Sequence, residues 1–112
     1  LCESGSLELI SSEALMFETR KNPDASRRVY ALEVLRQAKT FVHVNDEIEK
    51  RANEFVRKGI KTLDALHLAS AEHARADYLC TTDDKFLKKA KGIKVLKTKV
   101  VSPVQFIEEI TP

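Results

Sequence analysis

The spacing of apolar residues along this 112-residue chain changes several times, and each change marks a candidate element. "LELIS", residues 7–11, predicts a short strand, and "SEALMFETRKN" after it predicts a helix with Ser11 or Ser12 as its N-cap. "NPD" then breaks the chain. In "DASRRVYALEVLRQAK", Val29, Leu32 and Leu35 fall with Ala31 and Val34 on a helical stripe, and the β-branched and aromatic "TFVHVN" follows as a strand. "DEIEKRANEFVRKG" carries Ile48, Ala52, Phe55 and Val56 at helical spacing, with Asp46 placed to cap it and Gly59 at the left-handed position beyond its end.

The second half reads in the same way. "TLDALHLASAEHARA" combines Leu63, Leu66, Ala69 and Ala71 with strong helix formers, and Thr62 stands where a cap is needed. "DYLCT" predicts a buried strand, "DDKFLKKAKG" a short helix ending at Gly92, and "IKVL" and "KVV" late strand character. "SPVQFIEEI" predicts a last helix with Ser102 as N-cap and Pro103 at the first helical position. The order β, α, α, β, α, α, β, α, β, α separates strands by helices, which demands crossover connections. The expected fold is α/β: one domain over residues 1–112, a three-layer arrangement with a mostly parallel central sheet and helices on both faces.

Composition narrows the class. The 43% hydrophobic and 32% charged content suits a globular domain, and no apolar run approaches the ~20 residues of a membrane span. The first residues show no basic stretch followed by an apolar one, so no secretory signal is expected. Cys2 and Cys80 lie far apart with no CxxC pattern and no histidine at zinc-ligand spacing, which supports neither a disulfide framework nor a zinc site and fits a reducing, cytoplasmic setting. Between Lys85 and Lys99 there are seven lysines and no acid. Such a run attracts a polyanion, or it is a solvated helix and strand edge.

Candidate chemistry follows from the topology, because sites in open parallel sheets form beyond the carboxyl ends of the strands. Asp83 and Asp84 follow the strand "YLCT", Glu18 lies in the helix after "LELIS", and Asp64 lies in the first turn of a helix that can start at the same edge. Acids from three helices can meet there. Converging carboxylates raise one another's pKa unless a cation neutralises them, so a cluster of this kind points to a divalent metal, with Mg²⁺ or Mn²⁺ favoured by oxygen ligands. Each acid also has a plain structural use, since Asp64, Asp83 and Asp84 near helix starts favour the helix dipole by ~0.3–1 kcal/mol.

At these residues the sequence resembles the PIN-domain family of VapC-type toxin ribonucleases. The resemblance rests on "TLDALHLASA", then "ADYLCTTDDKF" with its Thr81-x-Asp83 and nearby Phe86, then "VVSPVQFI". Upstream, "SSEALMFE" is similar to a family helix in which an acid follows a serine by six residues, here Ser12 and Glu18, which disfavours Glu13. The resemblance implies a metal-dependent endoribonuclease, a toxin of a type II toxin-antitoxin system, with Mg²⁺ or Mn²⁺ held by Glu18, Asp64 and Asp83. Thr81 would orient an acidic neighbour or the water, Asp84 would be an auxiliary acid or a cap, and Lys85, Lys88, Lys89 and Lys91 would hold the RNA backbone. A cognate antitoxin and a homodimer are the implied partners. His67, one turn after Asp64, is expected to pack rather than ligate. The chain departs from the family at its start, where the N-terminal central strand ending in a first Asp is absent. That strand would lie between "LELIS" and "YLCT", so a gap in the sheet is expected there, filled by a partner chain, by rearrangement or by a segment outside this sequence. The competing expectation is a truncated or degenerate PIN-like domain without catalysis, acting in dimerisation or protein binding.

Overall fold

The computed structural model describes residues 10–12, 19–21, 23–36, 38, 40–93 and 96–111. Four strands and five helices follow one another along them: β1 (Ile10–Ser12), α1 (Ala25–Leu35), β2 (Thr40–Val42), α2 (Asp46–Arg57), α3 (Thr62–His73), β3 (Tyr78–Cys80), α4 (Asp84–Lys91), β4 (Lys99–Val101) and α5 (Pro103–Ile110). Residues 7–9 of the first expected strand, residues 13–18 of the helix expected over "SEALMFETRKN", Glu18 among them, and Lys94 and Val95 of "IKVL" lie outside the described residues.

The helix ends show how local chemistry sets the boundaries. Helix α2 finishes in a Schellman motif: the Gly59 N–H donates to the Val56 carbonyl (3.0 Å) and the Ile60 N–H to the Phe55 carbonyl (3.1 Å). Gly59 takes φ +97°, as expected of a glycine in that place. Helix α3 ends in the same way, with Arg75 N–H on the Glu72 carbonyl and Ala76 N–H on the Ala71 carbonyl, but Arg75 occupies the left-handed position at φ 59°. An arginine there carries a steric penalty of roughly 1–2 kcal/mol that glycine avoids. Ser102 caps α5 through the Gln105 N–H (3.1 Å) ahead of Pro103, as expected.

Three expected caps shift by one residue. Asn45, not Asp46, caps α2, because Asn45 keeps extended backbone and its Oδ1 accepts the Ile48 N–H at 2.9 Å. Asp46 is already helical and contributes through the dipole. Lys61, not Thr62, is the N-cap of α3, and it makes no side-chain capping bond. Asp83, not Asp84, caps α4.

The described strands form two parallel pairs, β1 with β2 and β3 with β4. Their registers set Ile10 beside Thr40 and Tyr78 beside Lys99. The expectation of parallel pairing holds, and among the described residues no strand joins β1 to β3. Helix α3 packs against both β1 and β3 and thereby links the two pairs. Strand β3 is less buried than expected: Tyr78 and Leu79 are half-buried and Cys80 is exposed, because β3 has only β4 beside it among the described strands.

The core is built on α2 and α3, with Phe55, Ile48 and Leu68 almost wholly withdrawn from solvent beside Ala65, Ala52, Phe86 and Val100. Each large side chain of this kind contributes roughly 1.5–3 kcal/mol. Of the stripe expected on α1, Ala31 and Leu32 are half-buried beside Arg28, at i+3 and i+4 from it, while Val29 is 60% exposed; the Val34 and Leu35 side chains lie outside those described.

The α2 and α3 helices are also joined by charge. Arg51 Nε donates to Glu72 Oε1 (2.7 Å) and Nη2 to Oε2 (3.3 Å), with Nη1 on Glu54 at 2.6 Å. The guanidinium lies 4.4 Å from the Phe55 ring centroid. Glu72 is buried and takes a further bond from the Lys97 N–H (3.0 Å), so one carboxylate ties α2, α3 and the approach to β4 together. Its hydrogen bonds hold the Arg51 pKa above the usual value against the opposing effect of burial.

Candidate metal centre at the strand ends

The chain leaving β3 reaches α4 through "TTD". The Asp83 N–H donates to Thr81 Oγ1 at 3.1 Å, a local turn that sets the backbone of Asp83 before the helix begins. Asp83 Oδ1 then accepts the N–H groups of Lys85 (2.9 Å) and Phe86 (3.2 Å). Both bonds fall on the same oxygen. Capping and cation binding are therefore compatible in one side chain, since the cap does not use Oδ2. Asp84 is the first helical residue, exposed, and suited to the dipole rather than to capping.

Asp64 stands in the first turn of α3 and is half-buried. The chain reverses at Arg75 and re-enters as β3 only a few residues later, and α3 packs against that strand. A helix of about 18 Å that turns back in this way brings its first turn toward the strand end that delivers Asp83. His67, one turn on from Asp64, is half-buried. Among the described residues no group of three or more His, Cys, Asp or Glu side chains is placed to hold one metal ion. Glu18, the third expected ligand, is not among them.

Neighbouring groups limit the alternatives. Partial desolvation by its neighbours raises the pKa of the Cys80 thiol, although the side chain reaches solvent. His43 packs its ring edge-on against Phe41, 4.8 Å between centroids. The exposed Lys85, Lys88, Lys89 and Lys91 lie along α4, whose Phe86 and Ala90 are buried. Lys89 Nζ donates to the Gly59 carbonyl at 2.6 Å, a contact between residues thirty positions apart that no local pattern announces.

Comparison with protein-family models matches residues 5–92 to the PIN domain, most of the 112-residue chain. The chain belongs to the PIN-domain family. No curated protein and no solved structure matches it. The match covers the stretch that holds Asp64, Thr81 and Asp83, and it brings the PIN domain's general character: a divalent-metal-dependent nuclease of RNA or DNA. The carboxylates present are compatible with that chemistry, since the oxygens of Asp64 and the Oδ2 atom of Asp83 are hard donors of the kind Mg²⁺ and Mn²⁺ take. Among the described residues no helix is long and apolar enough to cross a membrane.

Proposed function

We propose that this PIN domain is a metal-dependent endoribonuclease, the toxin of a type II toxin-antitoxin system, acting in the cytoplasm as a homodimer held in check by a cognate antitoxin. The observation that carries the reading is the dual capacity of Asp83, which caps α4 through Oδ1 alone at the end of β3 within a chain matched to the family. Glu18, Asp64 and Asp83 would hold Mg²⁺ or Mn²⁺. When bound, the ion would lower the pKa of a water molecule and offset charge on the scissile phosphate. The protein's own part is positioning. Thr81 fixes the backbone of Asp83, Asp84 adds negative charge beside it, and Lys85, Lys88, Lys89 and Lys91 hold the RNA backbone through charge without reading bases.

The test is cleavage of RNA with Mn²⁺ by the wild type and by Asp64→Asn. Loss of an ion worth several kcal/mol to the transition state lowers the rate by about a hundredfold or more. Equal rates in the two proteins would sink the proposed site. Growth arrest on expression of the wild type, absent with Asp64→Asn, tests the toxin assignment.

A second reading, a PIN-like domain without catalysis that acts in dimerisation or protein binding, draws on the separation of β1–β2 from β3–β4 among the described residues. A folded chain that fails to bind Mn²⁺ in titration would select it.

A further inference from the structure

Lysines from two separate elements meet across the Lys89–Gly59 contact. The backbone at Gly59 runs close along the Lys89 stem, where an added Cβ would stand 4.0 Å from both Cδ and Cε. The turn between α2 and α3 is thus held against the second turn of α4. Exposed Lys58 and Lys61 flank Gly59 in that turn, and exposed Lys85 and Lys88 share a side of α4 with Lys89 at i, i+3 and i+4 spacing. Among the described residues none of Lys58, Lys61, Lys85 and Lys88 is bonded to a carboxylate, whereas Arg51 is fully engaged by Glu54 and Glu72.

We propose that the α2–α3 turn and the outer side of α4, joined by Lys89, form one surface that binds the phosphate backbone of single-stranded RNA. It rests on the ribonuclease reading for the identity of the polyanion. The chemistry favours a phosphate chain over an acidic protein. Protein interfaces centre on apolar and aromatic side chains, and none of the exposed large hydrophobics falls in the turn or on α4. Lysines on flexible stems form point-charge contacts that follow a backbone irrespective of sequence. Lys89 is the positioning residue, since its bond to Gly59 sets the distance between the two lysine groups.

The experiment measures binding of fluorescein-labelled oligouridylate to the full chain in EDTA, by anisotropy across a series of KCl concentrations. Each phosphate contact with a single strand contributes about 0.7 to the slope of log K against log salt, so Lys58→Gln with Lys61→Gln lowers the slope by about 1.4, and Lys85→Gln with Lys88→Gln does the same. Lys50→Gln with Arg27→Gln, on other exposed faces, leaves it unchanged. An unchanged slope in the Lys58/Lys61 variant overturns the joint surface. Competition by polyglutamate as effective as that by unlabelled oligouridylate overturns the RNA assignment in favour of an acidic protein. Because the assay excludes divalent metal, failure here with Mn²⁺-dependent cleavage intact rejects only the surface, and the predicted slopes without any cleavage reject only the nuclease reading.

Discussion

Asp64 and Glu72 stand on one helix, about 12 Å apart along its axis, in different surroundings. Glu72 is buried and meets Arg51 through two bonds and the Lys97 N–H through a third. Asp64, at the first turn, is half-buried at the end toward which β3 delivers Asp83. A carboxylate surrounded by fixed donors has its charge consumed by the fold, while one at the helix start beside a strand end can serve an external cation. The contrast teaches that burial alone does not mark a functional acid. The buried acid of α3 is structural, and the less buried one is the ligand candidate.

The comparison is broken most strongly from the Glu72 end. Arg51→Met strands a buried carboxylate with only the Lys97 amide beside it, and the expected loss is about 2–3 kcal/mol, less than for a fully buried pair because the Arg51 side chain is 29% exposed. Urea unfolding measures it, and a change under 0.5 kcal/mol would show that Glu72 gains little from the pair. At the other end, the roughly hundredfold loss of cleavage in Asp64→Asn is accompanied by a stability change below about 1 kcal/mol, since the amide keeps the shape of the side chain and removes its charge at the helix start. A large drop in melting temperature would move Asp64 into the same structural class as Glu72.

Asp83 caps α4 and is the second ligand candidate, and two substitutions separate the two roles. Asp83→Ala loses cleavage and about 1 kcal/mol of stability, whereas Asp83→Asn keeps the cap and loses cleavage alone. Identical stabilities for the two variants would remove the capping role. The smallest effect is expected at Thr81→Val, which deletes the acceptor for the Asp83 N–H and costs about 0.5–1 kcal/mol while cleavage falls through misplacement of Asp83. Cleavage unchanged in this variant would confine Thr81 to the turn.

Much of this molecule is legible where a residue type has one use. Gly59 beyond α2 and Ser102-Pro103 before α5 behave as their chemistry predicts. Neighbouring residues with overlapping uses mislead. Asn45 and Asp46, Lys61 and Thr62, and Asp83 and Asp84 each straddle a helix start, and only backbone geometry decides which member caps. Arg75 in the left-handed position follows from hydrogen bonding at the end of α3, not from residue type. In the site, the Thr81-x-Asp83 spacing was a readable signal. The Arg51–Glu72 pair and the Lys89–Gly59 contact link residues 21 and 30 positions apart, so nothing local in the sequence announces them.

The Schellman end at Gly59 has a kinetic consequence. It delivers Ile60 onto the Phe55 side of the core and lets α3 fold back along α2 within a short stretch of chain. Contacts this local close early, whereas β3 and β4 must bring together strands on either side of α4. The α2–α3 hairpin should form the folding nucleus, onto which the strand pairs condense. Stopped-flow refolding distinguishes the two regions: Leu68→Ala slows folding, and Val100→Ala chiefly accelerates unfolding. The reverse pattern would place the nucleus in the sheet.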